Sequence, residues 1–186
     1  MKKSLIALAV VGLTATGAQA DILDFESIPN GVTNSPLVLS NATVTNLSGG
    51  NLFNLSAFYA IGQGGSICAL SNTSNCNADL QIDFNSAVSN LTLRTDGYNP
   101  GDFVAISAYA GATLLATINV ASDTAVSFGA LSGITRLVMD DSSTGAGFGY
   151  GAFNFDPGVV PEPGTYALML AGLVAVGAVA RRRRAA

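Results

Sequence analysis

The chain has 186 residues, enough for one domain of about 100–150 residues with additional segments but hardly enough for two. Hydrophobic residues make up 49% of it and charged residues only 11%, and it contains no histidine. This composition excludes disorder driven by charge. The missing histidine excludes His-based zinc sites, Ser-His-Asp triads and Cys-His dyads.

The charges are distributed unevenly along the chain. Between Asp21 and Val160 there are eleven acidic residues and two arginines, Arg94 and Arg136, so this stretch has a net charge of −9. Such a body is repelled by phosphate groups and gains nothing from the release of their counterions. Nucleic acid is therefore excluded as a partner.

Residues 1–20 have the pattern of a signal peptide. Lys2 and Lys3 give it a basic start, residues 5–13 form a short apolar run, and Ala18 and Ala20 provide the small-x-small site that signal peptidase accepts. The apolar run is too short to stay in a bilayer as a spanning helix. We therefore expect export, with signal peptidase leaving Asp21 as the mature N-terminus.

A second apolar segment lies near the other end of the sequence. Residues 164–180 are an uncharged stretch of 17 residues, the lower limit for a helix that spans a bilayer. The basic residues that follow are expected to stay in the cytoplasm and leave the body outside. Before the helix, the prolines of residues 157–163 favour an extended linker that a processing enzyme can reach. We thus predict a linker at 157–163 and a transmembrane helix with a basic tail at 164–186.

The order of these features resembles the PEP-CTERM sorting signal over roughly residues 159–186. Its members are the motif Pro161, Glu162 and Pro163, the apolar helix, and the basic cluster Arg181, Arg182, Arg183 and Arg184. The resemblance implies a Gram-negative bacterium that makes exopolysaccharide, and an exosortase-like membrane protease that removes the tail. An ordinary single-pass anchor remains the alternative. Lipidation and cell-wall sorting fit less well, since no cysteine follows the signal peptide and no LPxTG pattern is present.

Residues 21–156 predict an all-β fold, an antiparallel β-sandwich of the jelly-roll type. Short stretches of period-2 alternation are separated by turn residues every 8–12 positions. Residues 103–109 are apolar on both faces, which favours a central strand, and a hairpin over 103–120 turns at Ala110 and Gly111. The predicted strands include 80–84, 91–95, 103–109, 114–120, 134–139 and 148–155.

The body also resembles the β-sandwich ectodomains that often precede this sorting signal. These tend to open with an Asp-Phe-Glu strand, here residues 24–26, and to close with an aromatic strand before the linker, here residues 148–155. This similarity implies a fold rather than an activity.

Cys68 and Cys76 are the only cysteines of the sequence. In an exported protein an even pair predicts a disulfide, and a redox-active pair would more often have the spacing C-x-x-C. The bridge closes a nine-residue loop and is worth about 2.5 kcal/mol in the chain-entropy model. We expect it to hold a polar loop that could not order itself.

Alternating glycines at 145, 147, 149 and 151 leave one face of a strand as bare backbone. The lysine and the spacing of a phosphate-binding loop are absent. The pattern favours tight packing against another layer or a flexible loop, with a ligand groove as the alternative.

Acidic residues are the remaining candidates for a site. Calcium binds carboxylate oxygens. The first and last strands of a jelly roll often lie together, so we expect Glu26, on the first strand, to lie near Asp140 or Asp141, which precede the last. These acids are predicted to bind one calcium ion. The same pairs would suit glycoside hydrolysis, but residues 21–160 contain a single glutamate and the chain has no tryptophan to stack a sugar. We therefore predict no enzyme and no catalytic residues, and calcium as the one candidate cofactor.

Two classes of function follow. The first is an exported, non-catalytic protein of the cell surface or extracellular matrix, with exopolysaccharide as a candidate partner. The second is a calcium- or glycan-binding module of that matrix, with Tyr59, Tyr98 and Tyr150 as candidate aromatic platforms that carry a polar atom.

Overall fold

The computed structural model describes residues 20–56, 64–158, 169–173 and 181, and the body is mostly β-strand. The described strands are β1 (Asp21–Ile22), β2 (Gly31–Thr33), β3 (Leu37–Val38), β4 (Ala42–Asn46), β5 (Leu52–Asn54), β6 (Ser66–Ala69), β7 (Leu80–Asp96), β8 (Val104–Ala110), β9 (Thr113–Val120), β10 (Thr124–Phe128), β11 (Ile134–Asp141) and β12 (Gly149–Pro157). Every ladder between these strands is antiparallel. The all-β prediction is confirmed.

The central element of the sheet is β7, a strand of 17 residues. Its first part pairs with β4 on one side and β11 on the other, and its second part pairs with β10 and β12. The sheet therefore continues through β7 in the order β2-β5-β6-β12-β7-β11-β8-β9 and curls around the core. The single strand β7 thus connects the pair β4 and β11 to the pair β10 and β12.

The two sequence windows 80–84 and 91–95 belong to this one strand, which corrects their interpretation as separate strands. Leu80, Ile82 and Phe84 are buried in the first part, whereas Leu91 and Leu93 are buried in the second, so the buried positions change from even to odd. Asn90 has a φ of 53°, and the register against β11 and β12 shifts in the same region. At this irregularity the side of the strand that faces the core changes from the even to the odd positions, so apolar side chains stay buried along the whole of β7.

The hairpin prediction is confirmed. β8 and β9 pair from Val104↔Val120 to Ala110↔Thr113, and Gly111 occupies the turn with a φ of 58°. The expectation that β8 is apolar and buried on both faces is wrong. Its odd positions from 105 to 109 are only half-buried, and Tyr109 on this outer face lies under the Arg136 guanidinium at 4.7 Å from the ring centroid.

The core is contributed by strands along the whole body. Phe25 packs edge-to-face on Phe153 at 6.0 Å between ring centroids, and Phe84 packs on Phe155 at 5.1 Å. Because β1 pairs with β12, with Asp21 opposite Phe155, the start and the end of the body lie side by side. The predicted proximity of the first and last strands is confirmed.

Several predicted segments lie outside the described residues, namely the signal peptide up to residue 19, the linker motif at 161–163 and most of the apolar stretch 164–180. Residues 169–173 and 181 are helical and exposed. Within the described part of the chain, no helix is long and apolar enough to cross a membrane.

Candidate functional site

Three connections meet at one end of the body, and we call this region the loop junction. It consists of residues 70–79, 97–103 and 141–149. The Asn77 side-chain amide donates to the carbonyl of Gly145 (3.2 Å), the amide N–H of Gly145 donates to Asp102 Oδ1 (3.3 Å), and the amide N–H of Phe103 donates to Ser143 Oγ (3.1 Å). These bonds connect all three segments.

The predicted disulfide is present and joins β6 to the loop junction. Cys68 and Cys76 are bonded, with 5.3 Å between their Cα atoms. Cys68 is fully buried on β6, opposite Phe53 of β5, and Cys76 forms a backbone bridge with Gly147. The disulfide therefore joins the sheet to the loop that contacts the glycine-rich segment.

The glycine pattern serves close packing at Gly147. Its φ is 76°, and a Cβ built there would lie 2.8 Å from Asn77 Cα and still closer to the carbonyl of Cys76. Gly149 and Gly151 lie on β12, where both are buried and paired with β7. Of the two interpretations of this segment, the structure supports packing of backbone against backbone.

Asp141 is a buried carboxylate at the end of β11. Its Oδ1 accepts a hydrogen bond from the amide N–H of Ser143 (3.0 Å), and its Oδ2 accepts from the Tyr150 hydroxyl (3.0 Å) and the amide N–H of Phe148 (3.4 Å). Burial raises the pKa of Asp141, although these hydrogen bonds oppose the shift. Burial, followed by the nearby charge of Asp141, raises the pKa of Tyr150 well above its usual range.

Asp102 has a similar position in the neighbouring loop. It is 2% exposed, and its Oδ2 accepts from the amide N–H of Asn99 (2.9 Å), while its Oδ1 accepts from that of Gly145. Both buried carboxylates thus accept hydrogen bonds from backbone amides in loops, where strand pairing does not supply an acceptor. The sequence does not reveal this role, because the Asp102–Gly145 bond joins residues 43 positions apart and because the burial of Asp141 depends on the packing around β11 and β12. Small residues and acids around 141–149 do indicate a tight connection.

The predicted calcium ligands are not brought together in the described structure. Glu26 is exposed and lies in a turn after β1 rather than on the first strand, which corrects its predicted location. Asp140 and Asp141 are adjacent on β11 and therefore face opposite sides, Asp140 outward and Asp141 inward. No group of three His, Cys, Asp or Glu that could hold a metal ion occurs among the described residues. The calcium site stays a prediction.

The three candidate tyrosines have different surroundings. Tyr150 is fully buried, so its prediction as a sugar platform is wrong, and Tyr59 lies outside the described residues. Tyr98 is 37% exposed and stacks on Phe148, with 6.2 Å between ring centroids. Its amide N–H donates to Asp123 Oδ1 (2.8 Å), which fixes the loop that holds the ring.

The body ends next to the segment that resembled a sorting signal. β12 continues through Pro157, one residue beyond the predicted boundary, and the amide N–H of Gly158 donates to the carbonyl of Ala87 (2.7 Å). Of the predicted cleavage and sorting residues, Ala20 and Arg181 are described and exposed, and Ala18, residues 161–163 and Arg182–Arg184 lie outside the described residues.

The segment that follows the body is similar to a known sorting motif. Neither the curated proteins nor the solved structures contain a match to the chain. The family model of the PEP-CTERM protein-sorting motif matches residues 159–184, which begin directly after the last described hydrogen bond of the body. The chain therefore carries a PEP-CTERM protein-sorting motif, which indicates a protein that an exosortase targets and that is sorted to the surface.

Proposed function

We propose that the mature protein is a non-catalytic component of the cell surface or extracellular matrix of a Gram-negative, exopolysaccharide-producing bacterium. The observation that carries the proposal is the PEP-CTERM motif at 159–184, placed immediately after a folded β body. In this proposal the body is a β-sandwich, the signal peptide directs export, and signal peptidase removes it. The apolar segment 164–180 holds the precursor in the inner membrane, with the arginines in the cytoplasm.

The position of the last strand supports processing within the motif. Pro157 pairs with Val88 of β7, and Gly158 donates the hydrogen bond to Ala87 described above. Among the described residues, the members of the buried core cluster run from Leu23 to Phe155. A cut at or near residues 161–163 would therefore remove the tail without removing any residue of that core.

The chemistry of the loop junction supports a non-catalytic role. A general acid or a nucleophile needs a carboxylate that a substrate can reach. Asp102 and Asp141 are both buried, and their oxygens accept hydrogen bonds from backbone amides and from Tyr150. The hydrogen bonds that they accept order the loops of this junction.

Processing is tested in the native host by replacing Pro161, Glu162 and Pro163 together with alanine. We expect the wild-type mature protein to lack the mass of the apolar tail and the variant to retain it in the membrane fraction, because the recognition motif is gone. Intact-mass measurement of the membrane and extracellular fractions gives both results. Pro100→Ala, a change at an exposed proline of the body, is the matched control and should be processed normally.

The same measurement separates the proposal from the single-pass alternative. If the mature wild-type protein keeps residues 164–180 at the cell surface, the segment is a lasting anchor and exosortase processing is wrong.

A glycan-binding module is the second candidate, and Tyr98 is the observation that favours it. A partly exposed aromatic ring supported from behind by Phe148 offers a flat surface on which a sugar ring can stack. Replacing Tyr98 with alanine should weaken the retardation of the protein in gels that contain the host exopolysaccharide, while Val38→Ala, an exposed change on β3, should not. Equal mobility of wild type and Tyr98→Ala would remove this candidate.

A further inference from the structure

The strand β9 is an open edge of the sheet. It pairs with β8 on one side and ends the strand order of the described sheet on the other. In an antiparallel ladder, alternate residues of an edge strand direct their N–H and C=O groups away from the sheet. β9 therefore presents unpaired backbone donors and acceptors along its outer side.

This edge is longer than the others in the described structure. β1, β2, β3 and β10 also pair on one side only, and they contain two, three, two and five residues, whereas β9 contains eight. Proteins usually limit edge pairing by short strands, charges, prolines or bulges. A long edge without these features is suited to pairing with another strand.

β9 lacks each of the other protective features along most of its length. Residues 103–122 contain no charged residue and no proline, in a body with a net charge of −9. The one irregularity of the hairpin lies between Ala108 and Tyr109, next to the turn, so the pairing from Ala116 to Val120 is regular. The edge can therefore accept a partner strand over at least these five residues.

The side chains of β9 are also incompletely covered. Leu114 is 54% exposed, and Leu115, Ala116 and Ile118 pack only partly against the core. A strand added alongside β9 would cover the remaining apolar surface of these residues, which is favourable.

We propose that β9 binds β9 of a second copy of this chain, antiparallel and about a two-fold axis. Two identical strands meet the requirements of such a pairing, because each supplies the same alternating donors and acceptors to the other. Two copies that meet through other parts of their surfaces repel each other, because the body carries a net charge of −9. The hairpin contains no charged residue, so two copies can come close there. The pairing joins two bodies edge to edge, and a small strand interface of this kind is of the weak, concentration-dependent class.

The test places a charge at Thr117, an exposed residue near the middle of β9 whose hydroxyl contacts Ser107 at 2.8 Å. Full-length wild type, Thr117→Lys and Thr117→Glu are purified in detergent and examined by sedimentation equilibrium. We expect a wild-type dimer whose fraction rises with concentration. Each single variant should dissociate about fivefold more readily, because a two-fold axis near the middle of β9 brings the two like charges close together.

A mixture of the two variants distinguishes pairing from damage to the fold. Lys and Glu then face each other, so the mixture should recover the wild-type dimer fraction. Ser132→Lys, an exposed change in the turn before β11, adds the same charge away from the edge and should dimerise like wild type. The proposal is overturned by a wild type that stays monomeric, by single variants that dimerise as well as wild type, or by a mixture that recovers no dimer.

Discussion

Replacing Gly147 with alanine should lower the free energy of unfolding by about 3 kcal/mol, the sum of a left-handed backbone penalty and a backbone clash. The new Cβ would meet the Cys76 carbonyl and lie 2.8 Å from Asn77 Cα. Neither group can move freely, since Cys76 is held by the disulfide and Asn77 is hydrogen-bonded across the loop junction. Urea unfolding of the full chain, followed by fluorescence or circular dichroism, measures the loss.

Gly133→Ala is a matched control for this prediction. Gly133 has the same φ of 76°, but a Cβ added there meets nothing within 4 Å. Its substitution should cost only the backbone penalty, about 1–2 kcal/mol. If Gly147→Ala costs no more than Gly133→Ala, the close approach at the loop junction contributes no stability, and the glycine-rich segment regains its interpretation as a groove.

Features encoded by neighbouring residues could be predicted from the sequence. The hairpin at Ala110 and Gly111 needs only alternation and a turn glycine, and it is confirmed. The disulfide needs only two cysteines in an exported chain, and it is confirmed. The sorting motif is also local, since it is a linear order of prolines, apolar residues and arginines that the family model matches.

Features that depend on distant pairing could not be predicted. The two halves of β7 repeat the same period-2 pattern, and the sequence contains no direct sign that the chain passes through Asn90 without a turn. Only the strands on either side, which come from positions 42–46, 124–128, 134–141 and 149–157, keep it one continuous strand.

At the candidate site the limit is burial, which the residue type alone does not reveal. Asp141 and Glu26 have the same chemistry in the sequence, but one is buried beneath three hydrogen-bond donors and the other is exposed in a turn. Composition identifies acids as candidate ligands, whereas their role depends on which backbone amides the fold brings to them.

Replacing Asp141 with alanine should cost about 3 kcal/mol, because the Tyr150 hydroxyl and the amide groups of Ser143 and Phe148 then lose their acceptor. The pKa of Asp141 is raised in the folded state, so its stabilising contribution is fully present below the usual pKa of an aspartate, near 3.9, and declines as pH rises through the raised value. The deficit of Asp141→Ala relative to wild type should therefore be larger in acid than at neutral pH. Urea titrations at a series of pH values measure it.

Asp140→Ala controls for the loss of a negative charge at the same place in the chain. Asp140 is exposed on the opposite face of β11, so its removal should change the free energy of unfolding by no more than about 0.5 kcal/mol. Equal effects of the two variants would mean that the charge of this acidic strand end matters and the buried hydrogen bonds do not. A large loss confined to Asp141, growing as the pH falls, would identify its carboxyl group as the acceptor that joins β11 to the glycine-rich connection and to β12.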